Sequence, residues 1–215
     1  MKEKKFIVKP YLEKWLKKGT PALQDWLEKE INYLRKCIKG NSVILDIGCG
    51  FGRNIKELIN GDRELVGIDC DKSVLEVAKK NLAPYKNIDL FLEKAEKLHF
   101  KNNTFDYVIC MGNTFGDMLS TKTEVLNEMK RVTKKRGKII ISVFSENALK
   151  ERVENLKRAG FTITKIKNSN IFTKEGLITE QFTKAKLENI FKRSGLNGKI
   201  IKLNRISYIC EAVKS

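Results

Sequence analysis

The residues with the clearest chemical character form one short stretch, Asp46-Ile47-Gly48-Cys49-Gly50-Phe51-Gly52-Arg53-Asn54. Glycines at positions 48, 50 and 52 allow a tight backbone turn and the close approach of a ligand. The fingerprint that binds dinucleotide phosphates, Gly-x-Gly-x-x-Gly, would need its last glycine at position 53, where this chain has Arg53. The stretch therefore predicts a ligand-binding turn that departs from the dinucleotide pattern.

Two carboxylates near this turn indicate what the ligand carries. Asp46 precedes the first glycine by two residues. A carboxylate there would repel a pyrophosphate but could pair with an ammonium group. Asp69 follows the next apolar run, 21 residues beyond Gly48, and an acidic side chain at that place can accept both hydroxyls of a ribose. An amino-acid ammonium at one strand and a ribose at the next describe S-adenosylmethionine (SAM).

The elements that must position these residues follow from the spacing of apolar side chains. Five apolar runs predict buried strands at residues 43–47, 65–68, 88–92, 105–111 and 137–144. Helices are predicted between them at about 53–60, 72–82 and 121–133, and two last runs, 199–203 and 206–213, predict an antiparallel pair. Alternating strands and helices with right-handed crossovers predict an α/β fold. We expect a doubly wound, mainly parallel seven-stranded sheet.

The chain divides into four predicted segments. Residues 1–41 are expected to form an N-terminal helical cap, and residues 42–144 the SAM-binding core. Residues 145–183 contain a helical segment and two β-like runs, 161–167 and 177–182, and we expect a small lid or substrate insert there, after the fifth strand. Residues 184–215 are expected to supply a final helix and the antiparallel pair that completes the sheet.

Several segments of the core resemble the ordered motifs of class I SAM-dependent methyltransferases. These segments are residues 43–54, 65–71, 95–100, 105–110 and 131–138, in the order and spacing of that family. The resemblance covers about residues 42–144 and implies a Rossmann-like methyltransferase fold. It also implies an enzyme that uses SAM and leaves S-adenosylhomocysteine (SAH) as the product.

The resemblance implies a role for each matching position at the cofactor. Backbone at the glycine turn should line the methionine part, the first aspartate should anchor its ammonium, the second should take the ribose hydroxyls, and later residues should flank the adenine. The implied cofactor residues are Asp46, Gly48, Cys49, Gly50, Asn54, Asp69, Cys70, Asp71, Ala95, Glu96, Cys110 and Met111. One position departs from the family, because Lys94 stands where many relatives carry an acidic residue. Glu96 and Glu93 are the alternatives for that role.

The segment after the fourth strand, Met111-Gly112-Asn113-Thr114-Phe115-Gly116-Asp117, concerns the methyl acceptor. It lacks the prolines of methyltransferases that act on exocyclic base amines. It resembles the Gly-Asn-Ser/Thr-Phe stretch of small-molecule methyltransferases of the glycine and sarcosine type. That branch implies that Asn113 orients the acceptor and that Phe115 walls the substrate site. The alternatives are a turn residue bonded to its own backbone for Asn113, and ordinary core packing for Phe115.

Methyl transfer from a sulfonium is an in-line displacement, so alignment and the exclusion of water can supply most of the acceleration. A base is needed only where the nucleophile starts protonated. Asp117 and Tyr11 are the further catalytic candidates. Their alternatives are helix capping for Asp117 and amphipathic packing for Tyr11.

The charge of the chain narrows the class of acceptor. The 43 Lys and Arg outnumber the 26 Asp and Glu, for a formal charge of +17. Residues 42–144 carry 17 basic and 14 acidic side chains, so most of the excess lies in the flanks that should cover the substrate. We therefore predict a small, anionic metabolite as acceptor. The alternatives are an RNA (tRNA or rRNA) or protein methyltransferase that docks through the basic flanks, and a SAM-binding protein without transferase activity.

Other sequence features exclude whole classes of protein. Five widely spaced cysteines and one histidine form no metal-ligand cluster, so we expect neither a metal site nor a disulfide framework. No run of 18 apolar residues predicts a membrane span. The first residues include no long apolar stretch, and we expect a cytoplasmic protein. The oligomeric state stays open.

Overall fold

A computed structural model describes residues 9–215 of the chain. The strands are β1 (Val43–Ile47), β2 (Glu64–Asp69), β3 (Ile88–Leu92), β4 (Phe105–Cys110), β5 (Thr133–Phe144), β6 (Ile163–Lys167), β7 (Asn170–Thr173), β8 (Ile178–Glu180), β9 (Gly198–Asn204) and β10 (Ser207–Val213). The α-helices are α1 (Lys9–Lys18), α2 (Pro21–Cys37), α3 (Arg53–Leu58), α4 (Lys72–Leu82), α5 (Thr114–Asp117), α6 (Lys122–Val132), α7 (Leu149–Ala159) and α8 (Lys184–Arg193). Within these described residues, the helices are too short or too polar to cross a membrane.

Seven strands form one sheet in the order β3-β2-β1-β4-β5-β10-β9. The strands from β1 to β5 pair in parallel, whereas β10 is antiparallel to both β5 and β9. This mainly parallel sheet confirms the predicted fold class. The chain winds from β1 out to β3 and then returns to β4 on the other side of β1. Ligands of open α/β sheets bind at the carboxyl ends of strands beside such a reversal.

The central strands are buried on both faces, which explains their nearly continuous apolar runs. Successive side chains of a strand point to opposite faces. Ile44 of β1 packs with apolar residues of α2, α3 and α4, whereas its neighbour Leu45 packs with residues of α6 and α8. The helices therefore cover both faces and hold the carboxyl ends of β1 and β4 in a rigid frame.

A second sheet lies in the segment between β5 and α8. Its three antiparallel strands have the order β6-β7-β8. The sequence predicted two β-like runs here, and the structure adds β7 between them, where it pairs with both neighbours. The four residues of β7 are flanked by polar residues, so their strand character depends on this pairing. Helix α1 packs against α7 beside this sheet, and the Tyr11 ring stacks on Phe161 at 4.2 Å between centroids.

Candidate active site

A cavity of about 640 Å³ opens at the carboxyl ends of β1, β2 and β4. Its wall comes from α1, the turn after β1, residues 93–96, the turn after β4, α7 and the segment that leads into β8. Twelve of the sixteen residues predicted for the site line this cavity: Tyr11, Gly48, Cys49, Gly50, Asn54, Asp69, Cys70, Ala95, Glu96, Met111, Asn113 and Asp117. The other four, Asp46, Asp71, Cys110 and Phe115, lie outside its lining.

The glycine turn is held against the end of β2. The backbone N–H groups of Gly48 and Cys49 both donate to the carbonyl oxygen of Ile68, at 2.8 and 2.9 Å. Gly48 has a φ of +69°, and a Cβ added there would lie 2.3 Å from Cγ2 of Thr114. Only glycine satisfies both the left-handed conformation and this close approach. The turn between β1 and α3 is therefore packed directly against the turn that follows β4.

Asp46 lies at the end of β1, just behind the turn, and is 1% exposed. Its Oδ2 accepts a hydrogen bond from Nδ2 of Asn54 at 3.3 Å. Its Oδ1 and the Oδ1 of Asn54 are both buried without a partner in the described chain. Burial raises the pKa of Asp46 to about 7, although the hydrogen bond from Asn54 and the charge of Arg53 lower it. Two buried acceptors without a donor suit a ligand that brings an ammonium group.

Asp69 ends β2 and lines the cavity. Its Oδ2 accepts from the backbone N–H of Gly50 at 3.0 Å, and its Oδ1 from that of Asp71 at 2.9 Å. Burial raises the pKa of Asp69, and backbone hydrogen bonds oppose that rise. Each carboxylate oxygen can accept a second hydrogen bond. The side chain is thus fixed by backbone donors and keeps acceptor capacity for the two hydroxyls of a ribose.

Asp71 has a structural role at the start of α4. Its carboxylate accepts from the backbone N–H and the hydroxyl of Ser73, at 2.8 and 2.6 Å. These bonds make it the N-cap of α4. The sequence placed Asp71 beside the adenine, whereas the structure places it outside the cavity lining, at the helix terminus.

The adenine end of the predicted site is formed by residues 93–96. The carboxylate of Glu93 accepts from the backbone N–H of His99 at 2.6 Å and contacts its Nδ1 at 2.8 Å. Glu93 is thus held in place by His99, and both Glu93 and Glu96 line the cavity. Ala95 is buried between them and lines the cavity.

The turn after β4 is held by a residue that the sequence reasoning missed. Glu30 of α2 is fully buried. Its Oε1 accepts from the backbone N–H of Gly112 at 3.0 Å and from the hydroxyl of Ser142, and its Oε2 pairs with Arg53 at 2.8 Å. Arg53 is the residue in place of the last glycine of the dinucleotide fingerprint. A helix from the N-terminal segment therefore supports both turns that flank the cavity.

Asn113 lines the cavity in a left-handed conformation, with a φ of +70°. Its Nδ2 donates to the hydroxyl of Thr179 at 3.0 Å and to Oδ1 of Asp117 at 3.3 Å. Its Oδ1 accepts from the backbone N–H of Phe144 at 3.0 Å. The positive φ is that of a turn residue, but the side chain bonds to β5 and β8 rather than to its own backbone. Asn113 thus connects the main sheet to the small sheet. Its carbonyl oxygen can still accept a second hydrogen bond.

Asp117 and Tyr11 line the same cavity, whereas Phe115 does not. The Asp117 side chain is exposed at the cavity. Desolvation by the surrounding protein raises its pKa to about 6, although Thr179 and Asn113 donate hydrogen bonds to it and the cations Arg152 and Lys122 lie near. Phe115 is fully buried in the core, with its ring 6.2 Å from that of Phe182. This placement agrees with core packing, the alternative for Phe115, and other residues line the cavity.

Two of the five cysteines, Cys49 and Cys70, line the cavity. All five are free thiols. Burial raises the pKa of Cys49 and of Cys110, so both stay protonated near neutral pH. Cys110 lies in the core behind the cavity, beside Met111 on its wall. Across residues 9–215, no three His, Cys, Asp or Glu side chains are grouped to hold a metal ion.

Two residues in the wall of the cavity, Arg152 and Thr179, were also not predicted from the sequence. Arg152 is one of several charged residues along α7 and has no local signal that sets it apart. Thr179 lies in the predicted insert, but its contacts with Asn113 and Asp117 depend on the pairing of β8. Only the folded chain brings these residues to the cavity wall, where Thr179 contacts Asn113 and Asp117.

Residues 38–195 match the protein family described as a methyltransferase domain. The chain is 32% identical over 155 residues to the uncharacterized protein MJ1252 of Methanocaldococcus jannaschii, across 72% of this chain and 55% of that protein. It is 31% identical over 118 residues to the demethylmenaquinone methyltransferase of Lysinibacillus sphaericus (52% and 48% covered). It is 33% identical over 132 residues to the ribosomal protein L11 methyltransferase of Fusobacterium nucleatum (59% and 40% covered). The chain thus spans about half the length of these curated relatives.

The fold agrees with that of solved structures. The PH0226 protein from Pyrococcus horikoshii superposes with a TM-score of 0.73 at 23% identity, across 91% of this chain and 93% of that one. A SAM-dependent methyltransferase from Methanosarcina mazei superposes with a TM-score of 0.66 at 18% identity, across 85% and 96%. The family match covers most of the chain, including the glycine turn, both predicted cofactor carboxylates and the turn after β4. The chain therefore belongs to the methyltransferase-domain family, and residues 38–195 form a class I SAM-dependent methyltransferase domain.

Proposed function

We propose that the protein moves a methyl group from SAM to a small, anionic metabolite and leaves SAH. The observation that carries this proposal is a single cavity that joins the predicted cofactor residues to an end covered by α1 and the small sheet. Its volume of about 640 Å³ lies in the range of roughly 300–1,000 Å³ that is usual for small-molecule sites. Leu12 and Trp15 of α1, Leu177 before β8 and Ile178 at its start give this end apolar walls that exclude water.

The residues present fit SAM at three points. The unpartnered oxygens of Asp46 and Asn54 would hold the ammonium group, Asp69 the ribose hydroxyls, and Ala95 with Glu96 the adenine. When bound, SAM supplies an electrophilic methyl group on a sulfonium. The chain itself supplies position, because the backbone N–H groups of Gly48 and Gly112 donate hydrogen bonds to Ile68 and Glu30 on other elements.

On the acceptor side we assign roles to Asn113 and Asp117. The carbonyl oxygen of Asn113 orients the acceptor, because its amide nitrogen is already held by Thr179 and Asp117. Asp117, with a pKa of about 6, is mostly ionised at neutral pH. Where the acceptor atom starts as N–H or O–H, the Asp117 carboxylate takes that proton as the new bond to carbon forms. Tyr11 closes the cavity from α1, stacked on Phe161.

The experiment is a transfer assay with methyl-labelled SAM and a cell extract that has been separated into small-molecule and macromolecular fractions. We expect label in a compound of the small-molecule fraction with the wild-type protein. Asp69→Ala, which removes the ribose contact, should lose most of this transfer, whereas Asp89→Ala on the exposed edge strand β3 should not. Label confined to the macromolecular fraction would contradict the proposal.

A second candidate function is that of a methyltransferase that acts on RNA or on a protein. The observation that favours it is the excess of basic side chains outside residues 42–144. On α1, for example, the lysines at positions 9, 14, 17 and 18 are exposed. Against it, the wall beyond the cofactor residues is largely apolar and covered, so a bulky acceptor would have to displace α1 or the small sheet.

A further inference from the structure

Arg152 of α7 is a buried cation in the wall of the cavity, and the roles proposed so far leave it without a function. Its side chain is 1% exposed. None of the ion pairs among the described residues includes it. A buried charge that lacks a counter-ion in contact is costly, and proteins retain one where it has a partner or a task.

The hydrogen bonds of Arg152 use only part of its guanidinium. Its Nη1 donates to the carbonyl oxygen of Ser169 at 3.1 Å and to Oε1 of Gln181 at 3.0 Å, and its Nη2 donates to the carbonyl oxygen of Thr179 at 2.6 Å. All three acceptors are uncharged. Its Nε is buried and has no partner in the described chain. Of the five N–H donors of a guanidinium, the Nε–H and one Nη2–H therefore remain available.

The charges around Arg152 leave an excess of positive charge. Glu180 pairs with Lys122 at 3.1 Å and also with Lys186. Asp117 interacts electrostatically with Arg152 and Lys122 but is not in ion-pair contact with either. The group thus contains three cations and two carboxylates, of which Arg152 and Asp117 line the cavity.

We propose that Arg152 binds a carboxylate group of the methyl acceptor, an inference that rests on the proposed function and names the substrate class. The two oxygens of a planar carboxylate can accept from two N–H donors of one guanidinium, which is a favourable bidentate arrangement. A phosphate would bring a third terminal oxygen for which Arg152 has no donor left. The class of acceptor is therefore a small carboxylic acid.

Thr179 connects this carboxylate site to the residues assigned to the reacting atom. Its carbonyl oxygen accepts from Arg152, and its hydroxyl accepts from Asn113 and also contacts Asp117. A carboxylic acid bound at Arg152 would therefore place the rest of its chain toward Asn113 and Asp117. Arg152 and Asn113 would then fix the acceptor at two points, which is what an in-line displacement requires.

The test uses the SAH-loaded protein and sodium acetate as the probe, with the melting temperature as the readout. A ligand that binds only the native state raises the melting temperature with concentration. We expect acetate to do so, and to exceed acetamide at equal concentration and sodium chloride or phosphate at equal ionic strength. Arg152→Met should abolish the acetate effect. Arg158→Met is the matched control, because Arg158 lies on the same helix, exposed and paired with Glu154.

If Arg152→Met does not fold, Arg152→Lys provides the test, because it keeps the positive charge but removes the bidentate arrangement of the guanidinium. It should bind acetate about tenfold more weakly than the wild type, as expected for the loss of one charge-assisted hydrogen bond. A wild type that acetate does not stabilise, a larger effect of phosphate, or variants that respond like the wild type would overturn the inference. A wild type that methylates a metabolite yet ignores acetate would keep the proposed function and lose only this inference.

Discussion

At the scale of single residues, three aspartates of the site differ in their surroundings. Asp46 has one oxygen without a donor, and burial raises its pKa to about 7. Asp69 is held by two backbone N–H groups. Asp117 has hydroxyl and amide donors and two nearby cations, and desolvation by the surrounding protein raises its pKa to about 6. These surroundings suit an ammonium group, a pair of hydroxyls and a mobile proton, respectively.

Asp46→Asn should weaken SAM binding while leaving the fold intact. The amide has nearly the same shape but no charge, so the ammonium group loses a charge-assisted hydrogen bond that contributes about 1.5–3 kcal/mol. We expect the dissociation constant for SAM to rise by roughly tenfold or more, measured by calorimetry. Asp89→Asn, an exposed aspartate on β3, is the control. Equal affinity of Asp46→Asn and the wild type would remove the ammonium assignment.

Asp117 should determine how activity depends on pH. Only its carboxylate form can accept a proton, and desolvation by the surrounding protein raises its pKa to about 6 although the side chain is exposed at the cavity. Activity should therefore be full above pH 7 and fall as the pH drops through about 6 and this carboxylate becomes protonated. Asp117→Asn should lower kcat by roughly 10²–10⁴-fold and remove that acidic limb. A variant with wild-type kcat, or one that retains the limb, would show that another group is the base.

At the scale of elements, the two turns of the site depend on a helix outside the predicted core. Glu30 joins α2 to the start of α3 through Arg53 and to the end of β4 through Gly112. The predicted boundary between a cap at residues 1–41 and a core at 42–144 separates segments that share this buried carboxylate. The cap is consequently part of the frame that positions the cofactor turn.

Glu30→Gln should destabilise the protein and loosen the cofactor site together. Glutamine can still accept from Gly112, but its amide group faces Arg53 without a charge. We expect the free energy of unfolding to fall by about 1–3 kcal/mol, the cost of losing a buried charged hydrogen bond, with a several-fold loss of SAM affinity. Chemical denaturation and calorimetry measure the two effects. Glu28→Gln, exposed on the same helix, should change neither, and a stability loss with unchanged SAM affinity would contradict the coupling.

At the scale of the whole molecule, the net charge of +17 has an uneven distribution that matches the architecture. The excess lies in the flanking segments, among them α1 and α7, which help to cover the cavity. Basic side chains on the segments around a cavity attract anionic molecules and raise their rate of association. This attraction does not by itself distinguish a metabolite from a polyanion.

The dependence of activity on salt concentration distinguishes a small anionic acceptor from a polyanion. A small anion meets only a few charges at once, so kcat/KM should fall less than about tenfold between 50 and 500 mM salt. A nucleic acid that neutralised six to ten charges would lose roughly 10³–10⁵-fold in affinity between 50 and 200 mM salt. Initial-rate kinetics across a salt series checks this once an acceptor is in hand. A steep loss would favour docking of a polyanion.

Features that depend on residues close together in the sequence could be predicted, whereas features that depend on distant contacts could not. The main strands and the glycine turn were predicted because each depends on neighbouring residues, such as the spacing of Gly48, Gly50 and Gly52. Strand β7 was missed because its pairing partners, rather than its own residues, make it a strand. Phe115 could equally have been wall or core from its local sequence, and packing with Phe182 placed it in the core.

The sequence by itself determined the cofactor end of this protein, because a strand, a turn and a helix that follow one another carry the chemistry of that end. The tertiary structure decided the contacts at the end proposed for the acceptor. Asn113, Arg152 and Thr179 come from three separate parts of the chain and meet only after the sheet and the insert have formed. Their roles depend on burial and on which hydrogen bonds remain unmade, and neither quantity can be read from residue types or spacing.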